Sequence, residues 1–90
     1  MSQWSIFQYG QWIPAAPYHV AAVNEFIAQY AMNPRQDVFL ITVPRWDGTR
    51  PFTAYFSCDP PHIYFMEIRH RIVLDSVEIR QGPPPHMEDG

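Results

Sequence analysis

Only one segment of this chain, Pro17 to Met32, has the spacing of an amphipathic helix. At about 100° per residue its apolar side chains fall within one arc, and its charged and amide side chains lie outside that arc. The predicted core positions are Val20, Val23, Phe26, Ile27, Tyr30 and Ala31. Pro17 suits the first helical position, and Asn33 followed by Pro34 ends the helix. The rest of the chain must therefore supply strands, turns and a tail.

Apolar side chains at alternating or consecutive positions predict strands on both sides of this helix. Trp4 to Tyr9 is the first. Val38 to Val43 is a continuous apolar and β-branched run, so we expect both of its faces to be covered and place it at the centre of the sheet. Phe52 to Cys58 and the long segment His62 to Leu74 follow, and Val77 to Arg80 is an optional last strand.

The predicted fold class is therefore α+β: a mostly antiparallel sheet of four or five strands, in the order β-α-β-β-β, with one helix packed on one face. Ninety residues fit one domain, and 47% hydrophobic residues can fill its core. We assign residues 1–80 to that domain. Residues 81–90 contain three consecutive prolines and are predicted to form a Pro-rich C-terminal tail.

Charge and cysteine content restrict the classes of function. Cys58 is the only cysteine, and neither a secretory signal nor an apolar run of about 18 residues is present, so we expect a cytoplasmic protein with no membrane partner. All six basic residues are arginine, and nine acidic residues give a net charge of −3. A negative chain is a poor match for duplex nucleic acid, whose phosphates must be neutralised.

Reactive side chains are few and poorly spaced for catalysis. Cys58, Asp59 and His62 lie close together in sequence, and His19 and His70 could join them. A zinc site needs a second ligand pair, and a cysteine nucleophile needs an oxyanion-stabilising loop, and neither pattern is present. We therefore predict a non-enzymatic protein with no catalytic residues, no metal and no cofactor.

The loop PRWDGTRP, residues 44–51, is the strongest candidate site. Asp47-Gly48 is a hairpin-turn signal, and Trp46 beside it is either folded back onto the sheet or displayed on a loop stiffened by two prolines. Tryptophan and arginine dominate the energetics of protein interfaces. The candidate partner-binding residues are Arg45, Trp46, Asp47 and Arg50, with Arg69 and Arg71 on the outward face of the long strand.

These residues predict a protein–protein interaction module that binds a partner of unknown identity and inhibits it by occlusion. The alternative is single-stranded nucleic-acid binding, in which bases stack on sheet aromatics beside arginines. The aromatics in question are Phe52, Tyr55, Phe56, Tyr64 and Phe65, and the arginines are Arg50, Arg69 and Arg71.

Self-association is a further expectation. One helix can cover only one face of the sheet, and the chain has no lysine to protect an exposed edge. We therefore expect either a symmetric homodimer, formed through an edge or through the open face, or a monomer.

Overall fold

The computed structural model describes residues 3–85, and within them one helix packs on one face of a seven-stranded antiparallel sheet. The elements are β1 (Trp4–Gln8), β2 (Gln11–Pro14), α1 (Pro17–Met32), β3 (Phe39–Val43), β4 (Phe52–Asp59), β5 (His62–Arg69), β6 (Ile72–Val73) and β7 (Val77–Gln81). The strand order is β2-β1-β7-β5-β4-β3, and β6 pairs with β5. Across residues 3–85, α1 is too short and too polar for a membrane-spanning helix.

Helix α1 has the predicted bounds, but its buried stripe is rotated from the predicted one. The residues that it buries are His19, Ala22, Val23 and Phe26. Ile27 is 41% exposed, so its assignment to the core was wrong, as was that of the exposed Ala31. The stripe turns by roughly 60° because the ring of His19, which a polarity pattern places outside, lies in the core.

Phenylalanine rings fill the space between α1 and the sheet. The Phe26 ring lies 5.4 Å from the rings of both Phe39 and Phe56, and Phe65 lies 5.3 Å from Phe56. Phe52, Ala54 and Phe56 of β4 are fully buried on this side, as their alternation predicts. Ring pairs at these separations add to the free energy gained by burial.

The register of the β4–β5 hairpin decides which residues of β5 face the helix. The Pro60-Pro61 turn pairs Asp59 with His62 and places Phe65 opposite Phe56. Phe65 and Glu67 therefore lie on the helix side, and the residues that follow each of them, Met66 and Ile68, point to the other side of the sheet. The prediction that Arg69 lies on the outward face was wrong, because it shares the helix side with Glu67 and pairs with its carboxylate.

Two hairpin turns account for the additional strands. Tyr9-Gly10 and His70-Arg71 are both two-residue connections whose backbones take positive φ, as favoured hairpin turns require. The first creates β2. The second ends β5 at Arg69, so a single strand over 62–74 was wrong, and the sheet exceeds four or five strands.

The strand order corrects the prediction of a central β3. That strand lies at one edge of the sheet and pairs with β4 alone among the described strands, because β1 pairs with β2 and β7 and not with β3. Gln81, assigned to the tail, ends β7 opposite Trp4, and Pro84 is fully buried. Residues 86–90 of the predicted tail lie outside the described residues.

The contrast between neighbouring helix residues gives a first prediction. Phe26→Ala removes a ring that is 1% exposed and should lower the free energy of unfolding by about 3 to 5 kcal/mol. Ile27→Ala, the matched control, should cost less than about 1 kcal/mol because this side chain is partly in water. Urea denaturation of both variants measures the difference, and equal losses would contradict the observed helix orientation.

Candidate functional site

The predicted loop follows β3, and its first arginine turns inward. Nη2 of Arg45 donates a hydrogen bond to Oε2 of Glu67 at 2.6 Å. The guanidinium also lies 4.7 Å from the Tyr18 ring centroid and 5.7 Å from that of Phe52, within cation–π range. Only 16% of the Arg45 side chain is exposed. Arg45 therefore anchors the loop to β5 and to the start of the helix.

Trp46, the next residue, is displayed. Its side chain is 66% exposed at the tip of the loop. Oδ1 of Asp47 accepts hydrogen bonds from the hydroxyl of Thr49 at 2.6 Å and from its backbone N–H at 3.0 Å. These bonds, the hydroxyl first, hold the pKa of the Asp47 carboxyl below its usual value. Gly48 supplies the positive φ of the turn, so the loop has a defined conformation around an exposed indole.

A shallow groove separates this loop from the first turn of α1. It is lined by Pro17 and Tyr18 on the helix and by Arg45, Trp46 and Asp47 on the loop. The groove is mostly apolar, with the Asp47 carboxylate at its rim. A side chain from a partner could lie in it while the partner contacts the indole.

The remaining predicted arginines lie apart from this groove. Arg50 and Arg71 border a second shallow groove on the open side of the sheet, together with Thr42, Thr53 and Ile68 of that side. Nη1 of Arg50 lies 2.9 Å from Nδ1 of His70. Arg69 is on the helix side, 3.2 Å from Oε1 of Glu67. The six predicted residues therefore form two exposed groups and one ion-pair cluster rather than one surface.

Sequence reasoning considered His19 only as a metal ligand or a catalytic base, but it also lines a cleft. This cleft, of about 380 Å³, lies between the β1–β2 turn, β5 and the segment before β7. Nδ1 of His19 accepts a hydrogen bond from the Ala16 N–H at 3.1 Å, so in the neutral ring Nε2 carries the proton. Burial, with a smaller contribution from Arg45, lowers the pKa of His19 to about 4 against the opposing charge of Glu67. The i, i+3, i+4, i+7 spacing of His19 with Ala22, Val23 and Phe26 was the sequence signal for its burial.

Cys58 and His62, considered as a reactive pair, lie on opposite sides of the sheet. Cys58 pairs with Ile63 on the helix side, and His62 pairs with Asp59 on the open side. Burial, and the charge of Asp59, raise the pKa of the Cys58 thiol. Nδ1 of His62 is instead 2.8 Å from Oε2 of Glu78. Within residues 3–85, no three His, Cys, Asp or Glu side chains converge as metal ligands would.

The proposed stacking platform divides between the two sides of the sheet. Phe52, Phe56 and Phe65 are buried beneath the helix. Tyr55 and Tyr64 point to the open side, because their register partners alternate with those core residues. Two rings, not five, are therefore available for stacking on β4 and β5.

Comparisons with protein-family profiles, with curated proteins and with solved structures find no match to this chain.

Burial of His19 gives a second prediction, for acid stability. The folded-state pKa near 4 lies below the unfolded value near 6.5, so the unfolded chain binds a proton first as the pH falls. The contribution of His19 to the free energy of unfolding is constant above pH 6.5 and should fall by up to about 3 kcal/mol as the pH drops to 4.

His19→Asn keeps an acceptor near the Ala16 N–H and removes the titrating ring. The unfolding free energies of the two proteins, measured by urea denaturation at several pH values, should therefore differ by an amount that changes between pH 6.5 and 4. A constant difference across this interval would show that His19 does not titrate as described.

Proposed function

We propose that this protein is a non-enzymatic binding module that captures a protein partner through Trp46 and occludes part of that partner's surface. The supporting observation is the contrast within two consecutive residues. Arg45 is held inside by Glu67, and the indole of Trp46 beside it is 66% exposed on a hydrogen-bonded loop.

Energetics favour Trp46 as the anchor. An indole combines a large apolar surface with one hydrogen-bond donor, and central tryptophans of interfaces contribute about 2 kcal/mol or more. The Asp47–Thr49 hydrogen bonds and the Arg45 anchor already fix the loop, so little conformational entropy is lost on binding.

The groove beside Trp46 indicates the chemistry of the partner surface. The partner would offer an apolar pocket for the indole and an apolar side chain for the groove between Tyr18 and Trp46. A donor, such as a backbone N–H or an arginine, would face the free lone pairs of the Asp47 carboxylate. Occlusion of this kind requires no reactive group on the module.

Single-stranded nucleic-acid binding is the second candidate. Tyr55 and Tyr64 on the open side, with Arg50 and Arg71 at its border, are the observations that favour it. It is less well supported because the other three aromatics of the platform are core residues and the net charge is −3.

Trp46→Ala tests the proposal. Because the side chain is mostly exposed, the variant should keep its unfolding free energy within about 0.5 kcal/mol. In a capture experiment with a lysate of the source organism, the variant should also fail to retain at least one protein that the unaltered chain retains. With that partner purified, calorimetric titration should give a Kd raised by about 30-fold or more.

Tyr9→Ala is the matched control, since Tyr9 is an aromatic residue at another hairpin turn and is 90% exposed. It should bind the partner as the unaltered chain does. If the Trp46→Ala variant retained every protein that the unaltered chain retains, the proposal would be overturned. Binding of a labelled single-stranded oligonucleotide that weakens as the salt concentration rises would overturn it too.

A further inference from the structure

The side of the sheet opposite α1, which we call the open face, has an apolar centre on β3, β4 and β5, and the charged residues Glu78 and Arg80 lie beside it on β7. Leu40, Tyr55 and Met66 form one row across β3, β4 and β5, and Tyr64 and Ile68 flank Met66 along β5. Leu40 is 55% exposed, and the other four are partly exposed. The exposed side of an antiparallel sheet normally carries polar residues, and a contiguous apolar surface of this kind marks an interaction site.

Charges border this centre at opposite ends of β4. Arg50 lies just before the strand and lines the groove with Thr53 and Ile68 of the open face. Asp59 ends the strand and, by alternation with Tyr55, lies on the same face. Asp59 is exposed and has no ion-pair partner among the residues described. One strand therefore has a positive and a negative end, with apolar side chains between them.

We propose that the open face binds a second copy of this chain, face to face, about a two-fold axis that runs across the strands. Such an axis reverses the direction of β4 in the second copy. Arg50 of each copy then lies near Asp59 of the other, and two symmetric ion pairs flank the stacked apolar centres.

The charge pattern favours a second copy over another occupant. Because the open face has a positive residue at one end of β4 and a negative residue at the other, two copies of this face are complementary in charge. Two sheets packed in this way form a sandwich, with strands aligned to within about 30° and a core about 10 Å thick.

Sedimentation equilibrium of the unaltered chain and of Leu40→Glu tests whether this face is the interface. The unaltered chain should be a dimer at about 100 µM, a concentration that populates even weak dimers. Leu40→Glu places a charge in the centre and should sediment as a folded monomer. Trp46→Ala should remain a dimer, so that failure here and failure of the proposed function are distinguishable.

Charge reversal tests the orientation. Arg50→Glu and Asp59→Arg should each raise the dimer Kd by about tenfold, and the double variant should restore it to within about threefold. Arg35→Glu and Asp37→Arg, reversals of exposed residues between α1 and β3, are the controls and should leave the Kd unchanged. The proposal would be overturned if the unaltered chain were a monomer or if the Leu40→Glu variant remained a dimer. It would also be overturned if the dimer Kd of the double variant were no lower than those of the single variants.

Discussion

The ion pair between Arg45 and Glu67 connects three parts of the molecule that are distant in sequence. It joins the loop after β3 to β5, and it places the guanidinium on the ring of Tyr18 in the first turn of the helix. Burying two charges is costly, and Nε of Arg45 is buried without a hydrogen-bond partner. The second arginine on the same carboxylate, Arg69, and the contacts with aromatic rings offset part of that cost.

This pair explains several placements at once. Glu67 can occupy the helix side of the sheet, beside a phenylalanine core, because two guanidinium groups neutralise its carboxylate. With the Arg45 side chain drawn inward, its neighbour Trp46 is left on the outside of a turn that Asp47 closes. The carboxylate also lies at the edge of the His19 cleft, where its charge partly opposes the lowering of the histidine pKa.

Local signals in the sequence were sufficient to predict the bounds of the helix and the two sides of β4. Pro17 and Asn33-Pro34 bracket α1, and strict alternation separates the two sides of β4. Long-range pairing was not predictable in the same way. The place of β3 at the sheet edge depends on the pairing of β1 with β7 instead of with β3, and the turn at His70-Arg71 has neither glycine nor asparagine to indicate it. The outward assignment of Arg69 took charge as a sign of the side that faces away from the helix, but Arg69 lies on the helix side and its side chain is still 54% exposed. Whether Trp46 was buried or displayed depended on Glu67, a residue 21 positions further along the chain.

A double-mutant cycle on Arg45 and Glu67 tests the central claim most directly. Arg45→Met, Glu67→Gln and the double variant would be unfolded in urea, and their free energies of unfolding compared with that of the unaltered chain. Because each single variant leaves one member of the pair without its counterpart, the account predicts a coupling of about 2 kcal/mol, with the double variant less destabilised than the sum of the two. Additive losses to within about 0.5 kcal/mol would show that this pair does not hold the loop, and would contradict the account.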